Sequence, residues 1–173
     1  MSGSSARVSV TGTWVRHVPA GVGGLAVSRG GSGGRLHRPG MVALYLADSD
    51  ATAWAEWYRH LAERAKAPAE ELPRDLYRIA VDLREVVDLS SSAARRDAGA
   101  PVRTRPTSAQ WPAFQPVGER FAAEGASAVL YASAARTRSL CLCVFEAGLP
   151  GLRVEGEPLP VIAAPPPPRG LRA

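Results

Sequence analysis

The sequence contains little lysine, little cysteine and no long apolar run, and each shortage argues against a class of protein. Lys66 is the only lysine, and no glycine precedes it, so the phosphate-binding loop of P-loop nucleotide hydrolases is absent. No stretch reaches the roughly 18 apolar residues that a membrane-spanning helix needs. The polar residues 1–5 do not open a signal peptide. These features predict a cytoplasmic protein without membrane contact.

Cys141 and Cys143 are the only cysteines, and their two-residue spacing places both on the same side of a strand. A disulfide between such close neighbours would need an awkward local backbone. A zinc site lacks its other ligands, because His17, His37 and His60 show no paired spacing with the cysteines. We therefore predict two core thiols and no bound metal.

The length and charge of the chain limit its architecture and its partners. A chain of 173 residues with 46% hydrophobic content predicts one domain that folds alone. The net charge of +5 would suit a nucleic acid, but the arginines are scattered along the chain instead of forming a basic stretch. We expect no direct nucleic-acid binding. A nucleic-acid binder stays an alternative, and its affinity would fall steeply with salt.

Glycines concentrate between residues 21 and 34. Residues 21–26 formally match the G-x-G-x-x-[G/A] dinucleotide pattern, but no helix start follows, and the position 20 residues beyond Gly21 is Met41 instead of an acid. We reject that fingerprint. The segment predicts a mobile glycine loop that delivers Arg35, and a plain flexible linker is the alternative.

A strand followed by a helix is the clearest local pattern in the chain. Residues 41–47 form a short apolar run that suits a buried strand, and Asp48-Ser49-Asp50 supplies helix-capping oxygens. We predict a helix from Ala51 that Pro68 ends. Its apolar face would consist of Trp54, Trp57, Tyr58, Leu61 and Ala65. On this pattern alone, Glu56 is a solvated charge on the opposite face.

Strands outnumber helices in the rest of the sequence. Apolar and period-two patterns predict strands at residues 8–18, 76–83, 86–89, 127–133 and 140–145, the last two as a hairpin. A short helix is predicted from Pro116 to Glu124, and residues 90–109 are predicted to be a surface loop. The class is α+β with a largely antiparallel sheet. Residues 1–160 form the predicted domain, and residues 161–173 form a proline-rich tail, in which residues 165–168 are expected to be extended, fully solvated polyproline.

An ordered set of motifs resembles the RES domain family of bacterial proteins. The family places an arginine after an early strand, a Gly-Gly-Arg turn, a tyrosine in the next strand and a glutamate in the following helix. The matching residues are Arg16 in WVRHV, Arg35 in GGRL, Tyr45 in VALYLA and Glu56 in AWAEWY. Residues 125–133, GASAVLYAS, resemble a later family stretch in which a hydrophobic strand ends in a serine.

The resemblance implies a fold similar to ADP-ribosyltransferases, with a split sheet that holds NAD+ in a central cleft. It implies a toxin of a toxin–antitoxin pair that degrades NAD+ by hydrolysis or phosphorolysis of the nicotinamide–ribose bond. NAD+ would then be the substrate, with no separate cofactor, and an Xre-like antitoxin would be the protein partner. Whether the protein is also a homo-oligomer stays open.

The implied chemistry assigns charged roles to three residues. Cleavage of the nicotinamide–ribose bond gives the ribose oxocarbenium character, as in glycoside cleavage. Glu56 would stabilise that developing cation. Arg35, with Arg16 as a second candidate, would hold the pyrophosphate, because a guanidinium fork matches phosphate oxygens in pairs.

Polar and aromatic roles fall to three further residues of the resemblance. Tyr45 would stack on or orient the nicotinamide ring. Ser133 would hydrogen-bond the substrate, and Ser127 competes with Ser133 for that role.

Three departures from the family pattern bear on the reaction. Leu36-His37 stands where the family usually has Trp-Asn, Ala132 stands where many members have proline, and residues 140–145 replace a stretch that often contains asparagine. These changes leave the acceptor undecided among water, phosphate and a protein side chain, the last of which would make an ADP-ribosyltransferase. A protein that binds NAD+ without turnover is a further alternative.

Overall fold

The fold is taken from a computed structural model that describes residues 6–27, 31, 33–103 and 105–172. The polar residues 1–5 lie outside the described residues, as does part of the predicted glycine loop at residues 21–34. None of the described helices is long and apolar enough to cross a membrane.

Six strands and three α-helices make up the regular structure of the described residues. The strands are β1 (Arg7–Pro19), β2 (Ala43–Ala47), β3 (Arg74–Asp88), β4 (Ala128–Ala132), β5 (Leu140–Phe145) and β6 (Leu152–Val161). The helices are α1 (Asp50–Glu63), α2 (Ser92–Asp97) and α3 (Gln115–Ala123). Short 3-10 turns lie at Pro68–Glu71, Ser108–Ala113 and Glu146–Gly151.

The strands form one sheet in the order β1-β2-β5-β4-β3-β6, and a further pairing of β1 with β3 closes the sheet into a small barrel. The pairings are antiparallel except that β3 runs parallel to β4. The predicted mixture of few helices and a largely antiparallel sheet is confirmed. The split sheet of an ADP-ribosyltransferase-like fold stays a prediction, since the described strands belong to a single sheet.

The β4–β5 hairpin is apolar on both faces because it is covered on both sides. Leu142 and Val144 point into the barrel with Leu44 and Ile79. Their neighbours in the strand, including Cys141 and Cys143, pack on the other face with Phe121 of α3. Both cysteines are buried and free, as the sequence predicts. Burial on two faces explains why these strands appear as continuous hydrophobic runs.

Helix α1 packs against the outside of the barrel. The Ser49 side chain accepts a hydrogen bond from the Thr52 N–H at 3.2 Å and caps the helix, as predicted. Trp54, Trp57 and Leu61 of α1 are buried together with strand residues Val15, Ala47 and Leu76. The helix ends at Glu63, earlier than predicted, because Ala65 adopts a left-handed φ of 50°.

Several segments differ from the sequence prediction. The two strands predicted at residues 76–83 and 86–89 are one strand, β3, with a left-handed φ of 57° at Glu85. The loop predicted at residues 90–109 contains α2, whose buried Arg95 donates to the Leu89 carbonyl at 2.8 Å and the Ser90 carbonyl at 2.9 Å. The sequence pattern did not predict strand β6, because Pro158 and Pro160 resemble the start of the proline-rich tail.

The polyproline segment at residues 165–168 is not fully solvated, which corrects the prediction made for it. The Tyr58 hydroxyl of α1 donates to the Pro165 carbonyl. The Arg172 N–H donates to the Ala135 carbonyl at 2.8 Å. The proline-rich segment therefore folds back onto the domain.

We predict that Gly118→Ala strongly destabilises the protein. A β-carbon at this position of α3 would lie 1.8 Å from the Leu36 carbonyl oxygen, so one of the two backbones would have to shift. Overpacking of this kind costs about 1–3 kcal/mol, measurable as a lower free energy of unfolding in urea. Gly23→Ala is the control, because a β-carbon there meets nothing within 4 Å. Equal stability of the two variants would contradict the close backbone contact.

Candidate active site

A cleft of about 410 Å³ opens between β1, β2 and helix α1. The turn at residues 33–37 and the segment that carries Pro106 and Trp111 complete its walls. The structure brings four of the six predicted site residues to this cleft, namely Arg16, Arg35, Tyr45 and Glu56. Ser133 lies behind Glu56, and Ser127 does not line the cleft.

Glu56 is held in a defined position by the end of strand β4. Its Oε1 accepts hydrogen bonds from the Ser133 hydroxyl at 2.6 Å, the Ala134 N–H at 3.0 Å and the Ala135 N–H at 3.4 Å. The solvated helix charge expected from periodicity alone is therefore wrong. Among the described residues, every hydrogen bond to this carboxylate goes to Oε1, so Oε2 is available to a ligand.

The Ser133 hydroxyl makes its full set of hydrogen bonds within the protein. It donates to Glu56 and accepts from the N–H groups of Ala135 at 3.1 Å and Arg136 at 3.0 Å. A hydroxyl has one proton to donate, so this serine positions the carboxylate instead of donating to a substrate.

Ser127 lies at the other end of β4. Its hydroxyl donates to the Arg84 carbonyl, and its N–H donates to the Glu85 carbonyl at 3.1 Å. Both bonds fasten β4 to the irregular part of β3. The geometry therefore connects Ser133, and not Ser127, with the cleft.

Arg35 is a buried cation placed between two aromatic rings. Its guanidinium carbon lies 4.8 Å from the ring centroids of both Phe114 and Tyr131. One Nη donates weakly to the Ala132 carbonyl at 3.4 Å, whereas the buried Nε has no hydrogen-bond partner among the described residues. Burial lowers the pKa of Arg35, a shift that Tyr131 and Glu56 oppose. Within the described residues no carboxylate pairs with this cation, so the site favours an anion from outside.

Tyr45 secures the turn that carries Arg35. Its hydroxyl accepts from the Leu36 N–H at 3.0 Å and lies 2.9 Å from His37 Nδ1. Burial raises the pKa of Tyr45 well above its usual value, so the phenol stays neutral. Burial also lowers the pKa of His37, which fits a neutral imidazole that accepts the phenolic proton. The Tyr45 hydroxyl is thus occupied, and its ring is what lines the cleft.

Arg16 anchors the described part of the glycine loop. One Nη donates to the Gly24 carbonyl at 2.7 Å and the Ala26 carbonyl at 2.9 Å. Burial lowers the pKa of Arg16 to about 10, which leaves the guanidinium charged at neutral pH. Arg16 therefore attaches residues 24–26 of the predicted glycine loop to strand β1 at the wall of the cleft.

Sequence reasoning missed a histidine–arginine pair at the floor of the cleft. Arg74 Nε donates to His17 Nδ1 at 2.8 Å, and His17 Nε2 lies 3.3 Å from the Ala53 carbonyl. The imidazole stacks on Trp54 with ring centroids 4.5 Å apart. Burial, with a further contribution from Arg74, lowers the pKa of His17 to about 3. No local pattern links residues 17 and 74, because β1 and β3 bring them together.

A second group missed by sequence reasoning lies further along helix α1. The rings of His60 and Trp111 meet edge-on, with centroids 5.5 Å apart. Arg59 pairs with Glu63 at 3.4 Å and donates to the Pro106 carbonyl at 3.3 Å. These contacts attach the segment before α3 to the helix. The spacing from Glu56 to His60 puts both on one face of α1, which is the only sequence signal for this wall.

The charges around the cleft suit an anionic ligand. Its lining contains more guanidinium groups than carboxylates, with Arg16, Arg35, Arg59, Arg64 and Arg74 against Glu56, Glu63 and Glu71. The described residues contain no cluster of three or more histidine, cysteine or acidic side chains that could hold a metal. The arrangement can bind phosphate groups with arginine and present one fixed carboxylate to the same molecule.

A match to a protein-family model identifies the family of this chain. The model of the RES domain covers residues 14–163. The chain belongs to the RES domain family. The matched range includes Arg16, Arg35, Tyr45, Glu56 and Ser133.

A solved structure supports the fold of this RES domain. The chain is similar to one in the crystal structure of the M. tuberculosis MbcT–MbcA toxin–antitoxin complex, with 24% sequence identity and a TM-score of 0.74. The similarity covers 90% of this chain and 87% of that one. At this identity the likeness shows a shared fold. No curated protein sequence matches the chain.

We predict that His17 makes the protein less stable as the pH falls from about 7 to 5. The unfolded histidine titrates near pH 6.5 and the folded one near 3, so the unfolded state binds more protons in between. This difference should remove about 2 kcal/mol of unfolding free energy between pH 7 and 5. The stability is present above pH 6.5 and is lost as the pH approaches 3.

His17→Gln isolates this effect from other titrating groups. The variant is less stable at pH 7, because it loses the stacking on Trp54, but its unfolding free energy should fall less steeply toward pH 5 than that of the wild type. Urea unfolding at several pH values measures both slopes. Identical slopes would show that His17 is not buried in its neutral form.

Proposed function

We propose that this RES domain protein is the toxin of a toxin–antitoxin pair and cleaves the nicotinamide–ribose bond of NAD+. The observation that carries the proposal is the fixed Glu56 carboxylate in the same cleft as the buried Arg35, which pairs with no carboxylate of the described residues. The related fold in a toxin–antitoxin complex supports the biological setting.

Glu56 supplies the charge that bond cleavage requires. As neutral nicotinamide leaves, positive charge grows on the ribose ring, and a carboxylate beside the ring stabilises it. The Ser133 hydroxyl and the Ala134 and Ala135 N–H groups hold Oε1 before the substrate arrives, so the carboxylate needs little reorganisation during the reaction. Oε2 faces the ribose and accepts from its hydroxyl groups.

Arg35 binds the pyrophosphate that joins the two halves of NAD+. A buried guanidinium without a carboxylate partner is costly in the free protein, and phosphate oxygens offset that cost when they bind. The stacking between Phe114 and Tyr131 keeps the guanidinium plane in one orientation. Orientation matters because a two-pronged contact with phosphate is directional.

The aromatic side chains of the cleft receive the bases. The ring of Tyr45 orients nicotinamide near Glu56, while its hydroxyl holds the Arg35 turn. Water or inorganic phosphate completes the reaction at the ribose carbon. The reaction needs no metal or redox cofactor, since the bond breaks heterolytically with nicotinamide as a neutral leaving group.

The proposed partner is a cognate antitoxin of the Xre-like class, and the proposed site of action is the cytoplasm. NAD+ is abundant there, so an uninhibited enzyme would harm its own cell. Residues 1–160 contain every residue assigned to the reaction.

We predict that Glu56→Gln folds and binds NAD+ but barely cleaves it. Glutamine keeps an oxygen for the Ser133, Ala134 and Ala135 donors and loses the charge. The rate should fall about 100- to 1000-fold. The assay incubates purified protein with NAD+, with and without phosphate, and separates nicotinamide, ADP-ribose and phosphorylated ADP-ribose. Glu157→Gln, at an exposed carboxylate of β6, is the control and should keep full activity.

Expression in cells tests the toxin role with the same two variants. Wild type and Glu157→Gln should drain NAD+ and stop growth, Glu56→Gln should do neither, and coexpression of the neighbouring antitoxin gene should protect the cells. Growth arrest with unchanged NAD+ would contradict the proposal. Nicotinamide release accompanied by ADP-ribose on a protein would instead identify an ADP-ribosyltransferase.

We predict that Arg35→Lys retains its charge and loses most of its function. An ammonium group cannot stack between Phe114 and Tyr131 or make a paired contact with phosphate. Loss of a charged hydrogen bond of about 1.5–3 kcal/mol corresponds to a decrease of about 10- to 100-fold in kcat/KM for NAD+. Arg38→Lys is the matched control, since Arg38 is an exposed arginine of the same loop that pairs with Glu119. Full activity of Arg35→Lys would remove Arg35 from the pyrophosphate site.

A further inference from the structure

The C-terminal segment at residues 162–172 returns from β6 to the loop that holds Glu56. The Pro165 carbonyl accepts from the Tyr58 hydroxyl on α1. A turn follows in which the Leu171 N–H donates to the Pro168 carbonyl at 3.3 Å, and Leu171 then forms an antiparallel bridge with Arg136. The RES domain match ends at residue 163, so residues 164–172 lie beyond the matched family range.

Ala135 contacts both the C-terminal segment and the catalytic carboxylate, so this one residue connects them. Its N–H faces the Ser133 hydroxyl at 3.1 Å and Glu56 Oε1 at 3.4 Å. Its carbonyl accepts from the Arg172 N–H at 2.8 Å. Ala135 is fully buried, so both bonds are formed within the protein and not with solvent. A shift of the C-terminal segment would therefore move the donors of Glu56.

Arg136 makes a second connection. Its N–H donates to the Ser133 hydroxyl at 3.0 Å, while its side-chain Nε donates to the Arg169 carbonyl at 3.2 Å. One Nη reaches the Ser139 hydroxyl at 3.0 Å and the Thr52 hydroxyl of α1 at 3.4 Å. The side chain thus joins three parts of the protein: the C-terminal segment, helix α1 and the β4–β5 turn.

We propose that residues 165–172 form a strap that holds residues 133–136 against helix α1 and so positions Glu56 for catalysis. The inference rests on the proposed function of Glu56. A misplacement of about 1 Å in a catalytic group can lower a rate about 100-fold, so small movements of this loop matter. The four consecutive prolines suit the role, because an extended polyproline segment has little conformational freedom to lose when it docks.

Arg136→Met in the full-length protein tests the strap. Methionine matches the length of the arginine stem and removes all three side-chain bonds, while the backbone bond to Ser133 remains. We expect kcat for nicotinamide release to fall about 10-fold or more, with an unchanged KM for NAD+, because the binding arginines are untouched. Arg138→Met, at an exposed arginine of the same turn, should leave both constants unchanged.

Tyr58→Phe tests the other attachment of the strap. It removes only the hydroxyl that binds the Pro165 carbonyl and keeps the ring. It should lower kcat in the same direction as Arg136→Met. The effects of the two substitutions should combine less than additively, since both release the same segment.

Hydrogen exchange gives a readout that does not depend on activity. The amides of Ala134, Ala135 and Arg136 are hydrogen-bonded to Glu56 or Ser133, so a peptide over residues 133–139 should exchange at least several-fold faster in Arg136→Met than in Arg138→Met. Unchanged exchange would overturn the strap. If the wild-type protein does not cleave NAD+, the proposed function is overturned. The exchange result would still decide whether the strap orders residues 133–136. A rise in KM at constant kcat would overturn the positioning role.

Discussion

The attachment of one helical carboxylate to the end of one strand organises the whole cleft. Glu56 belongs to α1, and three of its donors directly follow β4, so the helix and the sheet must keep a fixed relative position. The segment just before the helix is attached to the sheet as well, because the Asp48 carboxylate accepts from the Leu140 N–H of β5 at 2.7 Å. Pairing within the barrel fixes the register of β4 and β5. Because helix α1 is attached to both strands, the position of Glu56 depends on that register.

The electrostatics of the cleft follow from where its charges are buried. The carboxylate has donors on one oxygen only, and the Arg35 guanidinium has a buried nitrogen without a partner among the described residues. Both groups are stabilised less fully than an ion pair would be. Such incompletely satisfied charges are expected where a protein gives up stability for binding or catalysis. Pairing Arg35 with a carboxylate of the protein would improve the stability of the free state and occupy the anion site.

The sequence predicted the parts of the fold that local patterns encode. Helix α1 follows from its 3.6-residue periodicity and the Ser49 cap, and the β4–β5 hairpin follows from two apolar runs joined by a short turn. The environment of Glu56 could not be predicted in this way. Periodicity indicates that Glu56 faces away from Trp54 and Trp57, but not which distant segment covers that face.

Long-range contacts account for the other omissions. His17 meets Arg74 only because β1 and β3 pair over their whole length. Residues 90–109 contain few apolar positions, and buried Arg95 orders them by binding backbone carbonyls, which leaves no hydrophobic pattern. The motif residues of the RES domain were located by family resemblance. Only the structure shows that Ser133 positions the Glu56 carboxylate and that Ser127 lies away from the cleft.

The prolines of β6 affect how this protein can associate. β6 is the terminal strand of the sheet order and pairs with β3 on one side, and among the described strands none pairs with its other side, which is an edge. An exposed edge normally invites a strand from another molecule, because its N–H and C=O groups are unpaired. Pro158 and Pro160 carry no N–H, so neither residue can donate to a ladder of hydrogen bonds at this end of β6. Strand addition is therefore disfavoured at the proline-containing end of β6, where an added strand would find two backbone donors missing.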